Sequence, residues 1–365
     1  MISRQIFSNS QFSIIRTLAI LVVLFLPSVV FSRSGVDSVK VKPKITSYIA
    51  KMDTVISIRL NFNNEHERFV LNGNDFKYDL RPVFFFSNRL SFNYRIISFG
   101  FGFRLKFIPG NKSNSLTGSS KAFFLRLGIF TKHWQQELQF GRMQGFYLFN
   151  TGDYVPGWTK GTDPYIQFPG LRIIAITGAT SYKFNRNFSM KALSNQNEIQ
   201  LKSCGSFIPS ISYSWYQTED ISKDTVAKSK QKSNAYEAVL NVGYYYTVVL
   251  SKRFYGAVGF AAGCGADYTH LVTKLPEGTV YTDYFSPVYR LQERIGVGYN
   301  SRKFFGGVDI SLLQSLRNEN GNAVQLNTNR NYFQVFVGYR FTAPAFLKKK
   351  ASQVEDLIPV NLNGK

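Results

Sequence analysis

The chain has 365 residues, with 44 Lys and Arg against 22 Asp and Glu, so its formal net charge is +22. Aromatic residues make up 16% of it, a content that excludes an intrinsically disordered chain. The mean hydropathy of −0.13, with a single long apolar run, excludes a polytopic helical membrane protein.

The first 32 residues have the features of a secretory signal peptide. Arg4 and Arg16 give a basic leader, and nine consecutive apolar residues follow at 18–26. Residues 30–32 fit the small–x–small cleavage rule, which predicts cleavage after Ser32. An uncleaved anchor helix is the alternative, but the run is shorter than the roughly 20 residues that a span needs. Removal of residues 1–32 leaves a net charge of 22 − 2 = +20 on an exported protein.

From residue 53 to residue 341, apolar and polar residues alternate in many short segments. In 99–107, phenylalanine and leucine occupy every second position, with glycine, arginine and lysine between them. Side chains of a strand point alternately to its two faces, so each such segment predicts a strand with one apolar face. The predicted strands are 53–62, 84–95, 99–107, 122–131, 134–144, 171–183, 206–217 (with 188 as an alternative start), 234–250, 254–268, 286–299, 303–316 and 329–341.

The links between these strands alternate in length. Short links lie near 96–98, 131–133, 185–187, 250–252 and 300–302, and long links are 108–121, 145–170, 218–233, 269–285 and 317–328. Short turns on one side and long loops on the other are typical of outer-membrane barrels. We therefore predict an all-β fold, a transmembrane antiparallel up-and-down β-barrel of about 12 strands, with a range of 10–14. A further hairpin around 72–75 would give fourteen.

This barrel defines the domain organisation. The barrel is predicted at 51–341, after a periplasmic N-terminal extension at 33–50 and before a periplasmic C-terminal tail at 342–365. Glu293 has the parity of the apolar neighbours in its strand, so either the strand has a bulge or this wall faces something other than lipid. Aromatic residues near strand ends predict interfacial girdles: Tyr94, Trp134, Tyr213, Trp215, Tyr299 and Tyr339.

Several motifs resemble a Bacteroidota family of outer-membrane barrels, domain of unknown function 4421. The resemblance covers roughly 50–341 and implies an outer-membrane barrel without implying an activity. Its motifs are Phe92-Asn93-Tyr94-Arg95, Lys106-Phe107-Ile108-Pro109-Gly110-Asn111, Trp134-Gln135-Gln136-Glu137-Leu138-Gln139, Gly145-Phe146-Tyr147-Leu148, Tyr165-Ile166-Gln167-Phe168-Pro169, Ser194-Asn195-Gln196, Gln200-Leu201-Lys202-Ser203 and Gly205-Ser206-Phe207-Ile208-Pro209.

The sequence contains no convincing catalytic or metal-binding pattern. The cysteines and histidines lack ligand spacing, so we expect no metal and no cofactor. Cys204 and Cys264 are expected as two buried free thiols, with one disulfide as the alternative. His133 and Glu137 would share a strand face but lie about 13 Å apart, too far for a base and its orienting acid. We therefore expect no enzyme activity.

The faces opposite the apolar rows predict a basic lumen. Six of the nine charged residues on these faces are positive: Arg104, Lys106, Arg126, Glu137, Glu237, Arg290, Arg294, Asp309 and Arg340. Rings of Arg and Lys select anions, which predicts small anionic solutes as partners. The alternative is a filled interior in which these residues pair with one another. The basic residues are too scattered for nucleic acid, so the other expected partners are outer-membrane lipid and lipopolysaccharide.

The segment 195–203 is too polar to face lipid, and the stretch 188–217 that contains it is too long for one membrane strand. We predict that it folds inward and constricts the barrel, with a strand projecting beyond the membrane as the alternative. The candidate constriction residues are Asn195, Gln196, Glu198, Gln200 and Lys202. The leading functional hypothesis is a channel or a passive binding and uptake protein. A structural or accessory component of a surface assembly and a lipid-modifying enzyme are the alternatives, and the oligomeric state stays open.

Overall fold

The computed structural model describes residues 44–45, 48–72, 77–83, 86–105, 107–108, 111–222, 230–317 and 325–357. All of them belong to one compact unit, Val41–Lys365. The predicted signal peptide at 1–32 and the candidate lumen residue Lys106 lie outside the described residues.

The described part of the chain consists almost entirely of strands, as the alternation of apolar and polar residues requires. The strands are β1 (Lys44–Ile45), β2 (Ile49–Lys51), β3 (Val55–Asn72), β4 (Lys77–Arg81), β5 (Ser87–Tyr94), β6 (Ile97–Phe103), β7 (Lys121–Phe130), β8 (Trp134–Leu148), β9 (Gln167–Tyr182), β10 (Glu198–Gln200), β11 (Cys204–Phe207), β12 (Ser210–Asp220), β13 (Lys230–Val249), β14 (Phe254–Leu275), β15 (Gly278–Asn300), β16 (Phe304–Arg317) and β17 (Gln325–Thr342). Two short helices, α1 (Met190–Ser194) and α2 (Ala345–Leu357), complete the described structure with a 3₁₀ turn at Thr151–Asp153.

Twelve of the described strands form a closed antiparallel ring. The order around it is β3, β5, β6, β7, β8, β9, β12, β13, β14, β15, β16 and β17. The ring closes because β17 pairs with β3 along its whole length, from Gln325 opposite Asn72 to Thr342 opposite Val55. Each predicted strand is present, so the predicted twelve-stranded up-and-down barrel is confirmed. Closure also leaves no open edge in this ring for another chain to pair with.

The strands continue further on the long-loop side than the sequence indicated. The predicted loop 269–285 is wrong, because β14 and β15 remain paired up to Leu275 opposite Gly278. The additional hairpin suspected around 72–75 exists as β3 and β4, but β4 does not enter the ring. It pairs with β3 and, through Leu80 and Arg81, with β8. It therefore bridges β3 and β8 beyond the ends of the shorter strands β5, β6 and β7, which lie between them in the ring.

The outer surface of the ring is apolar and the inner surface is polar, the reverse of a soluble protein. Phe260, Ile295 and Val337 are each more than half exposed, whereas Asn61 and Asn93 are almost fully buried. This is the arrangement of a barrel that faces lipid. Glu293 lies on the exposed outer face, and the unbroken register of β15 with both neighbours shows no bulge there. Cys264 is also exposed, so the expectation that both free thiols are buried is wrong for it.

Aromatic rings pair along the short-turn end of the outer wall, the end at which β3 begins and β17 ends. Edge-to-face pairs join Trp134 with Tyr182, Phe254 with Tyr299, and Phe304 with Tyr339. Such a row suits a membrane interface, because these rings tolerate both apolar and polar surroundings.

Tyr94 does not belong to that row. It is buried in a small apolar cluster with Ala343 and Ala351, next to Leu347, at the start of the C-terminal tail. Helix α2 therefore packs against the short-turn end of the barrel. Among the described residues, no helix is long and apolar enough to cross a membrane.

Candidate functional site: the barrel interior

A folded segment closes much of the barrel interior at its short-turn end. We call residues 183–203, with β1 and β2, the plug. The chain leaves the wall after β9 ends at Tyr182 and forms α1 and β10 before it rejoins the wall at β11. Strand β10 pairs with β2, Ile199 opposite Ala50, and β2 pairs with β1 to complete a three-stranded sheet. The described part of the predicted N-terminal extension thus contributes β1 and most of β2 to the plug.

Local hydrogen bonds explain why this polar segment folds as it does. The Ser189 hydroxyl accepts a bond from the Ala192 amide and caps α1, and it donates to Glu198 at 2.5 Å. The Gln200 side chain accepts the Ser189 amide at 2.8 Å and donates to the Asn187 carbonyl at 2.8 Å. The amide-rich composition therefore satisfies buried backbone groups that no regular sheet covers. On its apolar side, Phe188 and Leu193 pack with Tyr255 and Ala257 of β14.

Three arginines of the barrel wall bind main-chain carbonyls of the plug. Arg59 donates to the Ser194 carbonyl at 2.5 Å, and Arg294 donates to the Leu193 carbonyl at 3.0 Å. Arg340 donates to the Gln196 carbonyl at 3.1 Å and to Asn300 at 2.7 Å. Arg59 lies on β3, Arg294 on β15 and Arg340 on β17, so charge-assisted bonds hold the plug from both sides of the β3–β17 pairing.

The structure places four of the five candidate constriction residues inside the barrel. Asn195, Gln196, Glu198 and Gln200 are all buried, and Gln196 takes a positive φ of 53° in the turn between α1 and β10. Lys202 is a correction, because its side chain is exposed. The physical reason is the shortness of β10: it ends at Gln200, after which the chain turns out of the interior toward β11.

Beyond the plug, toward the long-loop end, the interior contains a polar cavity of about 400 Å³ that we call the upper cavity. Six of the candidate lumen residues line it: Arg126, Glu137, Glu237, Arg290, Arg294 and Asp309. Arg59 and Arg89 also line it and were missed by the sequence analysis. Arg59 could have been found, because Ser57 and Arg59 alternate with apolar residues in β3 just as the identified residues do in theirs.

Every carboxylate of the upper cavity has an arginine beside it. Arg290 donates to Glu237 at 2.5 Å, with both side chains buried, and Arg126 is bonded to Glu137. Asp309 lies 3.4 Å from Arg294 and 3.8 Å from Arg59. Buried charges need such partners, since an unpaired ion loses its hydration without compensation. The three carboxylates of this cavity are therefore neutralised, and its five arginines leave an excess of two positive charges.

Two other candidate lumen residues lie elsewhere. Arg104 follows the end of β6 and donates to the Ser120 carbonyl in the loop region, so it is not part of the upper cavity lining. Arg104 comes directly after Phe103, the last residue of β6, and its side chain is partly buried. Arg340 is almost fully buried, but it binds the plug and does not line the upper cavity.

A second cavity, of about 560 Å³, lies on the short-turn side between the plug and the wall, and we call it the basal cavity. Its carboxylates are Asp53 and Glu198. Its cationic side chains come from β2, two short turns and the plug: Lys51, Arg95, Lys132, Lys183, Arg186 and Lys191. Six positive groups thus face two negative groups. No sequence motif predicts this cationic cluster, because its members lie on separate segments of the chain.

Lys183, the first residue after β9, lies at the centre of this charge. Its ammonium donates to the Phe188 carbonyl, and its side chain is buried. Burial lowers the pKa of Lys183 to about 8; the Glu198 carboxylate opposes this effect, as does Cys204, whereas the ammonium groups of Lys191 and Lys51 add to it. The influence of two other ammonium groups on one lysine means that like charges are gathered here.

The two cavities share three lining residues. Gln135, Ser181 and Met190 contribute to the lining of both. Gln135 and Ser181 are paired across β8 and β9, while Met190 is the first residue of α1. The two cavities therefore have in common two residues of the β8–β9 wall and one residue of the plug.

The described residues contain no group of three or more His, Cys, Asp or Glu side chains that could hold a metal ion. Cys204 is buried and Cys264 exposed, both as free thiols. His133 contacts the Lys183 carbonyl through Nδ1 at 2.8 Å and stacks on Tyr182, so its contacts join the turn before β8 to the end of β9.

Comparisons with solved structures return barrels with low similarity. The ferric yersiniabactin uptake receptor FyuA from Yersinia pestis is 11% identical, with a TM-score of 0.28, over 79% of this chain and 44% of that receptor. The chain thus spans less than half of the receptor's length. The β domain of the Bordetella autotransporter Brka is 12% identical, with a TM-score of 0.35, over 80% of this chain and 100% of that domain. The toluene transporter TodX from P. putida is 8% identical, with a TM-score of 0.27, over 82% and 91%.

At these identities and TM-scores the likenesses carry no information about function. No curated protein matches this sequence. One family does match, under the description "Domain of unknown function (DUF4421)", over residues 37–341, which includes the whole ring and the plug. The chain belongs to this family of unknown function.

Proposed function

We propose that this protein is a passive uptake barrel in the outer membrane of a Bacteroidota cell, and that small polar solutes pass the plug along the β8–β9 wall. The signal-peptide pattern and the apolar outer surface support this location. In that orientation the short turns, the plug and α2 lie on the periplasmic side. The proposal assigns no catalytic step to the interior.

The observation that carries the proposal is the shared boundary of the two cavities at Gln135, Ser181 and Met190. The arginine bonds to the plug backbone favour a plug that stays in place while solutes pass beside it. Of the three boundary residues, Met190 has the longest and most flexible apolar side chain. Met190 is therefore the residue whose size should limit passage.

The test is the flux of small sugars and of chloride through the purified, refolded protein in liposomes. Met190→Ala should raise both fluxes severalfold, because it widens the boundary, and Met190→Trp should lower them. Met190→Leu keeps the volume and serves as the matched control. Heat-modifiable gel mobility checks that each variant is folded. No flux through either the native protein or folded Met190→Ala would reject the proposed passage and favour a structural or accessory role.

A further inference from the structure

The basal cavity has a charge composition that the barrel does not need for its own assembly. Charged residues that stabilise a fold are paired, as they are around Glu237 and Asp309 in the upper cavity. In the basal cavity the Glu198 carboxylate contacts Lys191 at 3.7 Å. Among the described residues, Lys51, Lys132 and Arg186 have no carboxylate within 4.0 Å. Lys51 lies opposite Glu198 where β2 pairs with β10, although beyond that distance, whereas the side chains of Lys132 and Arg186 form no ion pair among the described residues.

Gathering these cations has a physical cost that burial increases. The space they surround is about 560 Å³, roughly 10 Å across if spherical, which is close to the Debye length in physiological salt. Arg186 is exposed and the other five cations are at least partly buried, so salt weakens their mutual repulsion without removing it. A bound anion would reverse this repulsion and place several charge-assisted bonds around itself.

From this arrangement we infer that the basal cavity is a binding site for a small, soluble oxyanion with at least two negative charges, such as a phosphate or polycarboxylate compound. The inference deepens the proposed function, on which it rests for the identity of the transported solute. The volume is that of a small-molecule site, larger than inorganic phosphate alone requires.

The position of the cavity favours a soluble anion over a lipid headgroup. Its walls are the plug, Gln135 and Ser181 of β8 and β9, and residues 95–96 and 130–134 at two short turns, so it lies at the short-turn mouth of the ring. It shares Met190 with the lining of the upper cavity, and the passage proposed above would bring a free solute to it from there. A lipid headgroup would have to enter from the short-turn mouth with its acyl chains attached.

The test is calorimetric titration of the full-length refolded protein with pyrophosphate, which requires no flux. We expect one saturable site with an affinity that falls as NaCl is raised. Lys51→Gln, Lys132→Gln and Arg186→Gln should each weaken binding about fivefold, and the triple variant about a hundredfold, if the effects are additive. Arg302→Gln, on an exposed turn residue at the same end and outside the cavity, is the matched control and should leave binding unchanged.

Repeating the titration in neutral phosphatidylcholine discs and in discs with phosphatidylglycerol separates the two sources of an anion. Equal binding in both supports a soluble anion, whereas loss of pyrophosphate binding only with phosphatidylglycerol would assign the site to a lipid headgroup and overturn the inference. The absence of pyrophosphate binding would also overturn the inference, as would unchanged binding by a folded triple variant. Flux without pyrophosphate binding would reject the anion site and leave the proposed passage intact.

Discussion

The upper and basal cavities lie next to each other and are both lined by basic side chains, yet their charges are arranged differently. In the upper cavity, five arginines face three carboxylates, and each carboxylate has an arginine within 4.0 Å. In the basal cavity, six cations face Asp53 and Glu198. The paired charges join strands that are two positions apart in the ring, β13 with β15 and β3 with β16. We infer that charge serves assembly in the upper cavity and ligand binding in the basal cavity.

The largest expected effect is on stability, when a pair in the upper cavity is broken. Glu237→Gln leaves the buried guanidinium of Arg290 without its carboxylate, and we expect the free energy of unfolding to fall by about 3 kcal/mol. Reversible urea unfolding in detergent measures it. Adding Arg290→Gln to the first variant should recover part of the loss, because no unpaired charge then remains.

The matched control for that variant is Glu219→Gln at the long-loop end. Its partner Arg172 lies 3.0 Å away, but both side chains are partly exposed. Solvent screens such a pair, so the expected loss is at most about 0.5 kcal/mol. Equal losses for Glu219→Gln and Glu237→Gln would contradict the assembly role of the upper-cavity charges.

The next largest expected effect is a pH dependence of the free energy of unfolding, caused by Lys183 in the basal cavity. The pKa of Lys183 is about 8 in the folded protein, below its ordinary value of 10.5, mainly because the side chain is buried. The unfolded chain thus binds more protons between these two pH values, so stability should rise from pH 8 to pH 10.5, by about 2 kcal/mol. Glu198, Lys191, Cys204 and Lys51 face this group and set the exact shape of the curve.

Urea unfolding at pH 7.5 and pH 10 measures this contribution against Lys183→Met. The variant has no ammonium to neutralise, so its gain in stability over the same pH range should be smaller by that amount. Lys252→Met, an exposed lysine in the turn between β13 and β14, is the control and should behave like the native protein. A parallel rise in the native protein and in Lys183→Met would mean that Lys183 is not the titrating group.

The contrast between the cavities also marks what the sequence can predict. The ring and most of the upper cavity follow from period two, because a residue such as Arg290 or Asp309 must point inward once its apolar neighbours point outward. The same rule applies to Arg59 in β3. Parity applies only within a strand, so it does not place Arg104, which follows the end of β6, and polar composition alone did not predict that Lys202 is exposed after β10 ends at Gln200.

The basal cavity follows no local rule. Lys51 lies in β2, Lys132 in the turn before β8, and Lys183 and Lys191 in the plug, so their meeting depends on the path of the chain through the barrel. The polar composition of residues 195–203 predicted that this segment avoids lipid, but not which wall groups would bind it. That information resides in contacts between residues more than 100 positions apart, such as Arg59 with Gln196.

The smallest expected effect on stability is that of Lys132→Gln, which removes a charge from the basal cavity, whereas Glu237→Gln breaks a charge pair in the upper cavity. Lys132 is half-buried in a turn and faces the basal cavity, so removal of its charge relieves repulsion and breaks no ion pair among the described residues. The free energy of unfolding should stay within about 0.5 kcal/mol of the native value, or rise slightly.

Pyrophosphate should then separate the two kinds of variant, because a ligand that binds only the folded state stabilises it in proportion to its affinity. At a fixed pyrophosphate concentration, Glu237→Gln should gain as much stability as the native protein, since its basal cavity is intact, and Lys132→Gln should gain less. The opposite order of the two gains would place the anion in the upper cavity.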